Sequence, residues 1–139
     1  MTGSDQHSQL GADALREPHV MALADALPAL IFIADATGRN RFANLRLQNY
    51  AGRPAQTFLG DGWLEVLHPE DRPRAALIWS RCVATGKPHE AEYRLAHHDG
   101  GYRWHLCRAE PVRDAAGDVA EWFGTCLDIE DRRGMEQAL

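Results

Sequence analysis

EAEYRLA (residues 90–96), YRWHLCRAEPVRD (102–114) and VAEWFGTCLDI (119–129) are the stretches that decide the fold of this chain. Apolar and polar side chains alternate along much of their length, the period of a strand with one buried face. Asp99-Gly100-Gly101 separates the first two, and Asp114-Ala115-Ala116-Gly117-Asp118 joins the second to the third. Asp-Gly and Gly-Gly supply the positive φ that tight hairpins need, so the three runs are predicted to form an antiparallel meander. The last strand leads directly into the charged stretch from Glu130 to Leu139, which wires the sheet to whatever follows.

Outward from the meander, Ala75, Ile78, Trp79, Cys82 and Val83 share one helical face. Asp71 is the expected cap of that helix, Pro73 lies in its first turn and Gly86 just past its end. Residues Asn44 to Gly60 read as short helical turns, because Gly52, Pro54 and Gly60 interrupt them, and Trp63 to Leu67 reads as another such turn. Ala29 to Ala34 is a continuous apolar run, and Arg39 to Ala43 follows Asp35-Ala36-Thr37-Gly38 as a shorter strand, a first hairpin. Val20, Leu23, Ala24 and Leu27 make an apolar stripe on an amphipathic helix, Glu17 to Ala26, that Pro28 stops. Residues 1–16 are small and polar and are expected to be flexible.

At 139 residues the chain is one domain, with 45% hydrophobic and 25% charged residues as in ordinary globular proteins. No apolar run approaches the roughly 18–20 residues that span a bilayer, and the N-terminus lacks the basic and apolar segments of an export signal. The cytoplasm is the expected location. The net charge is −5 with Lys and Arg scattered, which excludes nucleic acid and anionic membrane as expected partners. Cys82, Cys107 and Cys126 have no CxxC spacing and read as reduced thiols rather than a disulfide or zinc framework. His97-His98-Asp99 reads as a solvated turn whose adjacent imidazoles diverge, and the carboxylates near His68 read as helix caps, so no metal site is expected. No Ser, Cys or Lys nucleophile has an identifiable base and no glycine-rich phosphate loop is present, so no enzyme activity is expected.

Five strands in a two-plus-three split around a helical insertion resemble the PAS family, and motifs carry the resemblance. Asn49-Tyr50-Ala51-Gly52 is similar to its Y-x-G turn, WLEVLHPEDR (63–72) to its W-x-x-x-x-H-P-x-D-R signature, and residues 92–133 to its PAC portion ending in G-x-x-x-D-I. The ordered set covers Leu27 to Arg133. The resemblance implies an α+β fold, a five-stranded antiparallel sheet with an N-terminal amphipathic helix. It also implies a division into a flexible segment (1–16), a PAS domain with its cap helix (17–129), and the start of a linker helix to an output domain (130–139).

Successive strand residues face opposite ways, and the resemblance chooses which set faces the ligand cavity. Tyr93 and Leu95, then His105 and Cys107, then Trp122 and Cys126 are the inward candidates, faced by Trp79 and Cys82 from the long helix. Trp104, Leu106, Phe123 and Leu127 fall on the outer face as one apolar surface, to be covered by the Val20, Leu23 and Leu27 stripe, by a second copy of the chain, or by both, so a homodimer is expected. Glu121 reads as a polar position at which lysine is silent. A flavin of the LOV branch is not expected, because the N-C-R-F-L-Q run is missing and Cys82 is on the wrong helix. Haem is not expected, because the long helix has no histidine; only His105 or an unusual ligand would serve.

In the family's regulators, the aspartate of the D-I pair orients the linker helix. The matching residue is Asp128, followed by Ile129 and expected to pair with Arg132 or Arg133, while Glu130 departs from the usual threonine. The functional expectation is a sensory and dimerisation module that relays the state of its cavity, with or without a small-molecule ligand, to a histidine kinase or cyclic-dinucleotide enzyme in the same chain. The alternative is a ligand-free interaction domain.

Overall fold

The computed structural model describes residues 18–138. The segment expected to be flexible, residues 1–16, lies outside the described residues. A helix over residues 18–26, α1, precedes the hairpin β1 (Leu30–Asp35) and β2 (Asn40–Ala43). The insertion comprises α2 (Leu45–Ala51), α3 (Ala55–Phe58), two 3-10 turns at Gly62–Val66 and Pro69–Asp71, and the long helix α4 (Arg72–Thr85). The meander is β3 (His89–Ala96), β4 (Tyr102–Arg113) and β5 (Val119–Asp128), and α5 (Glu130–Ala138) leaves it. The strand order β2-β1-β5-β4-β3 places the first and last strands side by side at the centre, with Phe32 opposite Gly124 and Leu30 opposite Cys126. The fold class is the expected one.

Local chemistry explains why the insertion packs where it does. Asn44, fully buried, caps α2 by accepting from the Leu47 N–H at 3.0 Å, and the same oxygen accepts from Ile31 N–H at 3.1 Å. Its amide donates to the carbonyls of Ala24 and Ala29, both at 2.8 Å, so one side chain joins α1, β1 and α2. At Gly86 the chain adopts φ 68°, and its N–H bonds to Cys82 O at 2.8 Å, closing α4 as the sequence predicts. Leu47, Ala51, Phe58, Val66, Leu67 and Ala75 then pack on the inner sheet face against Leu30, Tyr93, Leu95 and Cys107. Gly124 is required by close approach rather than by its torsions, because a Cβ there would overlap the Phe32 ring on the neighbouring strand.

The structure corrects several expectations. Asp71 stands at the start of α4 but does not cap it. Its backbone is helical (φ −90°, ψ −16°) rather than extended, and Pro73 leaves no N–H at the second helical position for it to receive. The carboxylate turns to β3 instead, taking Arg94 N–H at 2.8 Å and the Arg94 guanidinium at 2.8 and 3.1 Å. The stripe on α1 does not cover the sheet: Leu23 is 52% and Leu27 47% exposed, while Ala24 is buried where Asn44 holds its carbonyl. The His97 and His98 rings do not diverge; their centroids are 4.0 Å apart. Glu121 is not an idle polar position, since Arg41 pairs with it at 2.5 Å.

Candidate functional site

Strand parity places His105, Cys107 and Ala109 of β4 on the buried face, while Trp104 and Leu106 are half-buried on the other. Between this inner face and the insertion is a cavity of about 60 Å³. Trp79, Tyr93, Leu95, Cys107 and Cys126 line it. Cys82, His105 and Trp122 do not. Cys82 turns its thiol towards Pro88 O and His89 Nδ1, both at 3.8 Å. Trp122 is fully buried in a second cluster with Ala34 and Ala109, edge-on to Trp79 with centroids 5.1 Å apart. His105 is fully buried behind Tyr50, edge-on at 5.1 Å.

The wall includes residues that the sequence reading did not select, among them Phe32, Phe58, Trp63 and His89. Phe32 and His89 were accessible to the parity argument, since they alternate with Leu30 and with Ala91 on their strands. Phe58 and Trp63 come from short turns with no periodicity to read. The wall is almost wholly apolar, and most of its polar atoms are engaged, Asn40 Oδ1 being buried without a partner. Trp79 Nε1 donates to Gly38 O at 2.8 Å, and Asn40 Nδ2 donates to Phe58 O at 3.0 Å. His89 stacks on Tyr93 with its Nε2 3.5 Å from the phenol oxygen, and burial pushes its pKa down to about 4, so the imidazole is neutral at physiological pH.

Where β5 ends, four elements converge on one carboxylate. Asp128 accepts from Tyr50 Oη on α2 at 2.6 Å, from Arg103 Nε on β4 at 2.6 Å, and from the Glu130 N–H that opens α5 at 2.9 Å. Partial burial alone would raise its pKa, but the hydrogen bonds from Arg103, Tyr50 and Glu130 outweigh it and hold the carboxyl down to about 2. Burial, and then the hydrogen bond to Asp128 and its charge, push the Tyr50 phenol well up, against the opposing pull of Arg103. His105 lies beside this node: its Nδ1 is 2.8 Å from Arg103 O, which can only accept, so the proton is on Nδ1. Its Nε2 is buried without a partner, and burial holds the imidazole below its usual range.

The expected pairing of Asp128 with Arg132 or Arg133 is not formed. Both arginines reach Glu92 on β3, Arg133 at 2.7 Å and Arg132 at 3.5 Å. Arg133 also lies over the Trp104 ring, 3.6 Å from its centroid, and Ile129 N–H donates to Trp104 O at 2.8 Å. Glu130, which departs from the family's usual threonine, accepts from Trp104 N–H at 2.7 Å and so fastens the linker to β4. The expected outer apolar surface is divided: Leu106 faces Leu127, but Arg108 and Thr125 separate that pair from Phe123. Leu127 is 61% exposed.

A twisted antiparallel sheet with its inner face closed by short helices, a small apolar cavity and a helix fastened to the final strand define a sensory-module architecture. The PAS fold family matches residues 24–134, and the chain belongs to that family. It is 36% identical over 121 residues to the uncharacterized protein y4lL of Sinorhizobium fredii, covering 87% of this chain and 14% of that protein. It is 30% identical over 130 residues to the peroxide stress-activated histidine kinase mak1 of Schizosaccharomyces pombe, covering 93% of this chain and 8% of the kinase. Among solved structures it resembles the N-terminal domain of a diguanylate cyclase with a PAS/PAC sensor from Marinobacter aquaeolei (26% identity, TM-score 0.66, 76% of this chain and 98% of that one). It also shares its fold with an RNA-binding light-oxygen-voltage receptor (24% identity, TM-score 0.71, 89% and 36% of the two chains). The chain is thus a PAS sensory module of the kind carried by signalling proteins, and it spans only a small part of the curated relatives it matches. No helix among the described residues is long and apolar enough to cross a membrane.

Proposed function

We propose that this domain senses a small, uncharged, mainly apolar molecule in its cavity and relays occupancy through Asp128 to α5 and an output domain of the same protein. The carrying observation is the Asp128 node. One carboxylate holds the end of β5, the start of α5, Arg103 of β4 and Tyr50 of α2. Cys126 of β5 and Cys107 of β4 line the cavity two residues from Asp128 and from His105, so a ligand that parts the wall displaces the strands holding the node. The output is a histidine kinase or a cyclic-dinucleotide enzyme, by likeness to mak1 and to the Marinobacter cyclase sensor. The cytoplasm is the compartment in which such an output meets its nucleotide substrate.

The ligand is small because the cavity of about 60 Å³ has room for a few water-sized molecules, whereas pockets for drug-sized ligands run to roughly 300–1,000 Å³. Flavin does not fit this volume, and for its polar ring edge the wall offers little beyond Asn40 Oδ1, which is buried without a partner. Haem does not fit it either, and the expected candidate ligand His105 is outside the wall; His89, which is in the wall, has both ring nitrogens directed at Cys82 and Tyr93. The small volume favours one second reading, a ligand-free interaction domain that signals by packing alone. Native mass spectrometry with an absorption spectrum of the purified chain separates the two: a retained small mass supports sensing, and a bare polypeptide at every condition supports the interaction domain. A bound flavin or haem would overturn the ligand class.

A further inference from the structure

Two thiols in the cavity wall face each other across neighbouring strands. Cys107 of β4 and Cys126 of β5 are directly opposed in the sheet, with their sulfurs 3.7 Å apart. We propose that this pair is an oxidation site, a cross-strand dithiol that a small hydroperoxide entering the cavity converts to a disulfide. The inference deepens the sensing function and rests on it only for the consequence to output.

Backbone geometry permits the bond. Ile129 N–H donates to Trp104 O, so Trp104 and Ile129 form a hydrogen-bonded pair. Pair types alternate along an antiparallel ladder, which makes Cys107 and Cys126 a non-hydrogen-bonded pair with Cα atoms about 4.5 Å apart. Disulfides span Cα separations of about 4.4–6.8 Å, so closure needs side-chain rotation and no change of register. Access and chemistry agree with the geometry. Both sulfurs border the cavity, Cys126 half-buried and Cys107 buried. The Cys126 thiolate attacks the O–O bond, an S–O bond forms, and the departing alkoxide or hydroxide takes up a proton. Cys107 sulfur then displaces the sulfenic oxygen as water and the S–S bond closes. In total, two thiols and one hydroperoxide give a disulfide, an alcohol or water, and a second water. Contact with Cys126 and then burial push the Cys107 thiol well up, which keeps it protonated and leaves the half-buried Cys126 as the first sulfur to react. Asp128 follows Cys126 by two residues, so the bond clamps β4 to β5 between cavity and node.

Cys82, outside the wall on α4, is the internal control. The 139-residue chain is treated with hydrogen peroxide, quenched, unfolded and alkylated with N-ethylmaleimide before peptide mass mapping. The expected result is loss of two of the three thiols, a Cys107–Cys126 linked peptide, and full recovery with dithiothreitol. Cys82→Ser retains the link, and Cys107→Ser and Cys126→Ser each abolish it. Three alkylated thiols after peroxide, a link through Cys82, disulfides between chains only, or Cys126 oxidised while Cys107 stays free would each overturn the proposal. The thiol count needs neither ligand nor output domain, so its failure leaves the sensing function standing. A disulfide that forms without altering output would instead count against the relay.

Discussion

Asp128 is held by two charged or polar side chains and one backbone N–H, and removing its carboxylate should cost more than a helix cap alone. Hydrogen bonds to charged groups contribute roughly 1.5–3 kcal/mol, and about 2 kcal/mol in a domain of this size lowers Tm by roughly 5–10 °C. Asp128→Ala should therefore melt lower by that amount yet stay folded, and in the full-length protein output should no longer follow the signal. Calorimetry with an output assay checks both; normal signalling would show that Asp128 is not the coupling point. The sequence motif leads to Asp128, but the partner it suggests, an arginine on the next turn of helix, is wrong. The pairing with Arg103 depends on strand register across a hairpin, and Tyr50 is 78 residues away in sequence.

His89 sets the acid limit of the cavity wall. Its folded pKa of about 4 is below the unfolded value of 6.5, so the unfolded chain binds the extra proton in that window. Stability is thus full above pH 6.5 and falls as pH drops from 6.5 towards 4, by up to about 3 kcal/mol. Urea unfolding of wild type against His89→Gln across this range should show a steeper pH dependence in the wild type. Parallel curves would mean that His89 is protonated in the folded domain. Asp128, with its carboxyl held down to about 2, adds a loss only at lower pH, as pH falls from the unfolded value of 3.8.

Among the elements, β5 lies at the centre of the sheet and must let β1 approach closely at Gly124. Gly124→Ala forces the Phe32 ring away from the strand and into the cavity that the ring borders. Overpacking of this kind typically costs 1–3 kcal/mol, so the variant should melt roughly 5–10 °C lower and lose uptake of any cavity ligand. An unchanged Tm would show that Phe32 has free space to move. The glycine is visible in the sequence, but the ring it faces is set by the pairing of the first strand with the last. The long helix was legible from its apolar face and terminal Gly86. Its start was misread because the carboxylate of Asp71 finds a guanidinium on β3 that no local pattern announces.

In the whole molecule, the outer sheet face carries Leu127 exposed beside Leu106, next to an α5 held down by Trp104, Glu92 and Arg133. A homodimer covering this strip would bury Leu127, and burying such a side chain contributes roughly 1.5–3 kcal/mol per copy. Leu127→Glu should convert dimer to monomer without lowering Tm by more than a few degrees, read by size-exclusion chromatography with light scattering. A dimer that persists would place the interface elsewhere. Glu121→Lys is no longer a silent control, because it opposes Arg41; Glu110→Gln on β4 serves better.

Resemblance to the PAS family chose which face of the meander turns inward; the sequence by itself determined the order of the elements along the chain, both turns of the meander, the long helix and the alternation of side chains along each strand. These follow from alternation, from positive-φ residues in turns and from helical spacing, all of which act over a few neighbouring residues. Only the tertiary structure decided which arginine holds Asp128, where Asp71 turns, that Cys82, His105 and Trp122 stand outside the cavity wall, and that Phe58 and Trp63 stand within it. Ion pairs are chosen by distance through space, and a cavity of about 60 Å³ is the small difference between the space enclosed and the side chains that fill it. Neither quantity exists until segments far apart in the chain are brought together.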